Sequence, residues 1–354
     1  ELLYHRKKPP HLLHSSAIST PTIVSTALSR QLRQAERCLH AGDASAALAL
    51  CEQVLRKAPR NPEALYFLGA AQLAQNRPAD AATTLAQVLA IDPQHGAALE
   101  TLGLVHLLAG QFAAAESVLS RAARLHGAPA SVFMRLGIAM LEQGRPSDAL
   151  TALRRAAAGA PHDADIQVNL GRALAESGSP AEAREHFHAA MQLAPQSPEP
   201  DFNLGVLALR REDWPEAQRC FARAIAKAPR FVDAMVNLGV VLQHQSLLAQ
   251  ASSVLSRAVS LDPSHAPART ELAHTFALQG MTEQAREHYL AALRVAPSLT
   301  AAHEGLASVS AAMGRLDEAI ESLRAVTQAE PANANARCAL AGSLFERGEL
   351  EEGE

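Results

Sequence analysis

Val168-Asn169-Leu170-Gly171 returns as Phe202-Asn203-Leu204-Gly205 and again as Val236-Asn237-Leu238-Gly239, each copy 34 positions after the last. Between these copies Ala183, Phe187, Ala190 and Pro195 recur as Ala217, Phe221, Ala224 and Pro229. A chain with residue types locked to fixed slots at this period does not gather its apolar residues into one central core. It repeats one helix–turn–helix unit, and each unit buries its apolar stripe on the next.

The frame runs through nearly the whole chain. Pro59, Pro93, Pro161, Pro195, Pro229, Pro263, Pro297 and Pro331 are separated by multiples of 34, and the one gap holds Gly127 with Pro129 just after it. Units therefore begin near Leu28, Pro62, Gly96, Ala130, Ala164, Pro198, Val232, Ala266, Thr300 and Ala334: nine full units and a truncated tenth. In the sixth unit the periodicity predicts helix A from about Glu199 to Arg211 and helix B from about Pro215 to Lys227. Pro215 suits the first turn of a helix, and Pro229 stops helix B because the residue before a proline is pushed out of the α region. Gly42, Gly110, Gly144, Gly178, Gly280 and Gly314 supply the turn between A and B. The sixth and seventh units carry Glu212 and Ser246 there, so their turns are expected to be less regular. Gly205 lets helix B approach helix A while Leu204 fills the space beside it. Ala217, Phe221, Ala224 and Ile225 present the matching stripe at helical spacing.

Residues 1–27 fall outside the frame and read as a disordered or non-native leader. Its basic start, His5-Arg6-Lys7-Lys8-Pro9-Pro10, is not followed by the unbroken apolar stretch of an export signal. The remaining 28–354 form one array, and both ends look cut. Net charge is −4, which offers no global basic field for nucleic acid. No run of 18 apolar residues exists to span a membrane. The four cysteines, Cys38, Cys51, Cys220 and Cys338, lack metal or redox spacing; Cys38 and Cys51 read as small packed thiols. Scarce lysine and abundant alanine and arginine suggest a bacterial source, with a cytoplasmic location.

These slots resemble the tetratricopeptide repeat family. Its Leu-Gly pair is matched by Leu68-Gly69, Leu102-Gly103, Leu136-Gly137, Leu170-Gly171, Leu204-Gly205 and Leu238-Gly239, and its helix-B alanine by Ala47, Ala81, Ala115, Ala149, Ala183, Ala217, Ala251, Ala285 and Ala319. The family's tryptophan slot departs, holding Leu65, Leu99, Phe133, Gln167, Asp201, Met235, Arg269 and His303, so packing should differ between units. The resemblance implies an all-α, right-handed α-solenoid of about nine and a half repeats, with A helices lining a concave groove. Groove slots then fall on Val168, Asn169, Arg172, Phe202, Asn203, Val206, Leu209, Val236, Asn237 and Val240, with Arg135 in the asparagine slot of an earlier repeat. The carboxylate clamp of family members that bind chaperone C-termini is absent, since its slots hold Val168, Asp233 and Asn237. The Asn169, Asn203 and Asn237 series instead resembles the asparagine ladder of O-GlcNAc transferases, which holds peptide backbone.

An amide offers one acceptor and two donors, so a ladder of them suits a backbone of any sequence. The alternative is structural: a bond across to a neighbouring A helix. Asp163, Asp165, Glu199, Asp201 and Asp233 crowd the starts of three A helices, either as favourable helix-start charges or as an acidic rim for basic peptides. His186, His188 and His288 read as a solvated outer face, and His106 as a hydrogen-bonded core histidine. Arg121, Arg155, Arg223 and Arg257 share one helix-B slot, without the interleaved aromatics of a nucleic-acid surface. No nucleophile elbow or phosphate loop is present. The expectation is a non-catalytic scaffold, without cofactor or metal, that binds a protein or extended peptide through Asn169, Asn203, Asn237, Arg135, Arg172, Phe202, Val206 and Val240. Two alternatives stand beside it. One is the substrate-recruiting arm of a larger enzyme, with a sulfotransferase or O-GlcNAc-transferase-like domain beyond residue 354. The other is self-association through the truncated last repeat, whose Leu340, Leu344 and Phe345 have one neighbour to cover them.

Overall fold

In a computed structural model, residues 26–348 are described, and among them there are nineteen helices and no strand. Nearly all of the expected leader, and the stretch from 349 where the tenth repeat was expected to break off, lie outside the described residues. The chain divides into two compact units, residues 1–186 and 187–354. Unit 1 holds the pairs α1 (Thr26–His40) and α2 (Ala44–Lys57), α3 (Pro62–Ala74) and α4 (Pro78–Ile91), α5 (Gly96–Leu108) and α6 (Phe112–Ala123), and α7 (Ala130–Leu141) and α8 (Pro146–Gly159). It then holds α9 (Ala164–Glu176), whose partner α10 (Pro180–Leu193) runs across the division. Unit 2 holds α11 (Glu199–Arg210) and α12 (Trp214–Lys227), α13 (Val232–His244) and α14 (Leu248–Leu261), α15 (Ala266–Leu278) and α16 (Thr282–Val295), α17 (Thr300–Ala312) and α18 (Leu316–Ala329), and α19 (Ala334–Arg347). Odd-numbered helices are the A helices and even-numbered ones the B helices.

Successive A helices touch from α1 to α9 in unit 1 and from α11 to α17 in unit 2, whereas no comparable contact links successive B helices among the described residues. Helices that converge on one side and spread on the other bend the stack, so each unit curves with its A helices inside.

The A–B turns are uniform. In nine repeats the residue at the turn's left-handed position donates to the carbonyl three residues back, and the next residue reaches five back, as in Gly42 to Leu39 and Asp43 to Cys38. This pattern satisfies the carbonyls a helix end leaves open. Glu212 and Ser246 make the same bonds at φ 57° and 60°, and Asn76 does so at φ 60°. The expected irregularity at Glu212 and Ser246 is therefore absent. Capping hydrogen bonds hold the geometry, and the missing glycine leaves backbone strain in its place.

Helix pairs lock where a large helix-B side chain lies over a small helix-A residue. Phe221 covers Gly205 and Leu119 covers Gly103. Where the slot holds alanine, the large side chain finds room elsewhere. Tyr289 is opposite Ala273, and its ring occupies space that Gly305 of the next A helix leaves free. Ala35 faces the smaller Cys51 in a cluster that Cys38 joins, and burial pushes the Cys51 thiol up to about 12.

The polar residues in the tryptophan slot have a shared role. Gln167, Arg269 and His303 bond the carbonyls of Pro161, Pro263 and Pro297, the prolines that end the preceding helix B, at 2.9, 2.8 and 2.9 Å. These donors satisfy a loop oxygen that the apolar side chains of the same slot in other repeats cannot reach with a hydrogen bond. Asp201 has no proton to donate to such an oxygen. It is fully buried, accepts a hydrogen bond from Arg223 at 2.7 Å and forms an ion pair with Lys227 at 2.6 Å. Asp201 is thus a core ion, neither a solvated helix-start charge nor part of a rim. Asp163, by contrast, does cap its helix, accepting from the Asp165 and Ile166 amides.

Candidate peptide-binding face of the A helices

The three asparagines share one conformation. Each amide nitrogen donates to the backbone carbonyl one turn earlier: Asn169 to Asp165 at 2.8 Å, Asn203 to Glu199 at 2.8 Å and Asn237 to Asp233 at 3.0 Å. The structural bond thus lies within each helix, not across to the neighbour that the sequence suggested. One N–H and the carbonyl oxygen remain on each amide.

The two units use that remainder differently. In unit 1, Asn169 is buried and its oxygen accepts from Arg172 at 3.3 Å. Arg172 itself pairs with Glu142 at 2.9 Å, and Arg135 pairs with Glu100, all four side chains less than a fifth exposed. Charges paired at that depth are spent inside the molecule. In unit 2, Asn203 and Asn237 are half-buried, one repeat apart, and their carbonyl oxygens accept no bond among the described residues.

Phe202 stacks on Phe231 at 4.9 Å and tilts against Phe221 at 5.7 Å, with 5% of its surface exposed. Its ring is part of the unit 2 core. Val206 is half-buried against that cluster and Val240 is half-buried on α13. Those two are the apolar members of the predicted set that still reach the face.

The next residue in the asparagine slot is Glu271. Burial raises its carboxyl above the usual range, opposed by a hydrogen bond from Gln243. Gln243 also reaches the Glu271 carbonyl at 3.0 Å and the Thr275 hydroxyl at 2.9 Å, tying α13 to α15. His265 Nε2 lies 3.1 Å from the Asp233 carboxylate, and that ring's other nitrogen accepts the Ala268 N–H. The slot was legible in the sequence, but the burial of Glu271 carried no sequence signal.

The remaining candidates are structural. His186 is half-buried with Nδ1 2.6 Å from the Gln167 amide oxygen, and His288 is half-buried against Phe276. Burial lowers both, which corrects the reading of a solvated outer face for these two; His188 is exposed. His106 is half-buried and bonds Gln111 at 2.7 Å. Arg121 and Arg257 donate to the Pro93 and Pro229 carbonyls at 3.1 and 2.8 Å, and Arg155 lies 4.1 Å over the Phe133 ring. Arg121 and Arg257 thus tie their repeats to the loop that ends the preceding one, whereas Arg155 and Arg223, the latter bound to Asp201, pair with helix A of their own repeat. No described helix is long and apolar enough to cross a membrane, and no three His, Cys, Asp or Glu side chains among the described residues converge as a metal would need.

The chain matches two sequence profiles, both described as tetratricopeptide repeat, one over residues 39–102, 72–133 and 310–354 and the other over 134–198, 202–266 and 270–326. No curated protein matches it. Among solved structures it is similar to one titled as an APC/C hetero-tetramer, Cut9-Hcn1, at 17% identity and a TM-score of 0.61. That match covers 85% of this chain and 63% of the other, so the chain spans less than two thirds of that relative's length. MamA from Desulfovibrio magneticus RS-1 matches at 25% identity over 48% of this chain and 96% of the other, with a TM-score of 0.43.

Proposed function

The chain belongs to the tetratricopeptide repeat family, and from that premise we propose that the A-helix face of unit 2 binds an extended segment of a partner protein. Scaffolding of protein interactions is the general role that such an array supports. The specific reading is that Asn203 and Asn237 hold the partner's backbone while Val206 and Val240 pack its side chains. One observation carries it: both amides are pre-set by a bond to their own helix, yet each keeps a carbonyl oxygen and an N–H on a half-exposed face. Side chains already ordered lose little further freedom on binding. In unit 1 the matching groups, Asn169, Arg135 and Arg172, are engaged internally, so any role there requires those pairs to open first.

The test is a partner isolated by pull-down and titrated against wild type and the Asn203→Ala/Asn237→Ala variant. Two neutral hydrogen bonds contribute about 1–3 kcal/mol, equivalent to roughly 5- to 150-fold in affinity. Helical content should hold, because alanine is the better helix former. Equal affinity of both proteins would remove the asparagines from the site.

A further inference from the structure

We propose that Glu271 selects a basic side chain, arginine or lysine, on the partner segment held by unit 2. The inference rests on the asparagine reading and carries it from the partner's backbone to its sequence.

Glu271 continues the asparagine series. Asn203, Asn237 and Glu271 follow one another at the 34-residue period, and all three are half-buried. The helices that carry them, α11, α13 and α15, touch in succession. Where two slots offer the carbonyl oxygen of a neutral amide, the third offers a carboxylate.

That carboxylate has no lysine or arginine partner among the described residues. α15 packs against α13, α14, α16 and α17. Neither α13 nor α17 contains a lysine or arginine, and the one in α15, Arg269, donates to the Pro263 carbonyl at 2.8 Å. In α14, Arg257 donates to the Pro229 carbonyl. In α16, Arg286 is bound to Glu318 at 2.6 Å, and Arg294 is exposed in the last turn. The nearby acids have other partners: Asp233 faces His265, Glu304 accepts from Asn333 at 2.9 Å and Glu283 is bound to Arg315, while Glu287 adds further negative charge. The cations that can act on Glu271 are the exposed His274 and His244, and its hydrogen-bond donor is the neutral Gln243. The Gln243 amide is shared, since it also serves the Glu271 carbonyl and the Thr275 hydroxyl.

Unit 1 meets the same situation from within. Glu100 and Glu142 are paired with Arg135 and Arg172 of the next A helix. The slot of Arg135 is held by Gly305 in the helix after Glu271, so α17 supplies no such partner. A carboxylate drawn out of water without a counter-charge destabilises the fold, and burial has already raised this one above its usual range. An arriving ammonium or guanidinium would relieve that cost through a charge-assisted hydrogen bond. Spacing sets the register. Packed helices lie about 8–10 Å apart and an extended chain rises about 3.3 Å per residue, so successive slots meet about every third residue. The basic residue therefore belongs about six residues from the one bound at Asn203.

Two measurements test this. At pH 7.5 Glu271→Gln should have a higher thermal midpoint than wild type, because the amide keeps the shape and removes an unpaired charge. A lower midpoint would make the carboxylate part of the fold and overturn the proposal. The binding probes are three pools of end-blocked dodecapeptides randomised over Ala, Ser, Thr and Val, with one position fixed as Arg, Gln or Glu. Wild type should bind the arginine pool at least about tenfold more tightly than the glutamine pool. Glu271→Gln should erase that difference, and Glu271→Arg should prefer the glutamate pool. Asn203→Ala/Asn237→Ala should weaken all three pools alike and keep the arginine preference. Binding without an arginine preference, or a preference that survives Glu271→Gln, would overturn this inference and leave the asparagine reading standing. Pools that bind the asparagine variant as they bind wild type would overturn that reading and the register built on it. No binding of any pool to wild type would overturn both.

Discussion

Gly205 faces Phe221 so closely that a β-carbon on residue 205 would lie 2.7 Å from the ring. Gly205→Val should therefore force the α11–α12 pair apart, at a cost of about 1–3 kcal/mol, the usual range for overpacking. Because a repeat array is stabilised by nearest-neighbour terms, hydrogen exchange should accelerate in α11 to α13 and stay unchanged over α1 to α4. Uniform acceleration along the chain would contradict a nearest-neighbour stack.

The turns offer a gain in the opposite direction. Glu212 and Ser246 hold left-handed backbone angles that glycine adopts without steric cost. Glu212→Gly and Ser246→Gly should each stabilise the protein by about 1 kcal/mol, and Asn76→Gly by less, because asparagine tolerates that region. Thermal unfolding of the three single variants ranks them. A loss of stability at Glu212→Gly would show that its side chain does more than occupy the turn.

Acid should weaken the fold through histidine. His95 caps α5 by accepting the Ala98 N–H on Nδ1 at 3.2 Å, and burial lowers it below its ordinary 6.5. A lowered folded value means the contribution is fully present above the unfolded value and is lost as pH falls through the folded one. Burial sets the same direction at His186 and His288. His95→Asn keeps an acceptor in a slot where Asn61 and Asn333 already cap, and does not titrate. Between pH 7.5 and 5.0 the variant should lose less thermal stability than wild type; identical losses would remove His95 as a source.

The repeat was legible because its evidence is periodic: Leu204-Gly205 and its copies named the helix contact, and the proline series named the helix ends. What stayed hidden depends on partners far along the chain. Asp201 looked like one more helix-start acid, since nothing near it announces Arg223 and Lys227 some 22 and 26 residues later. Phe202 fell in a groove slot by register, yet its ring turned inward onto Phe231. Arg135 and Arg172 read as cations on a binding face because Glu100 and Glu142, roughly a repeat away, are invisible to a local reading. The asparagine slot was legible, but the conformation of its amides was not.

Hydrogen exchange on a complex with a partner isolated by pull-down tests the central claim most directly. Slowed exchange should appear in α11 and α13, around Asn203 and Asn237, and the Asn203→Ala/Asn237→Ala variant should lose it. Protection confined to the B helices α12 and α14, or to unit 1, would contradict a partner held on the A-helix face of unit 2.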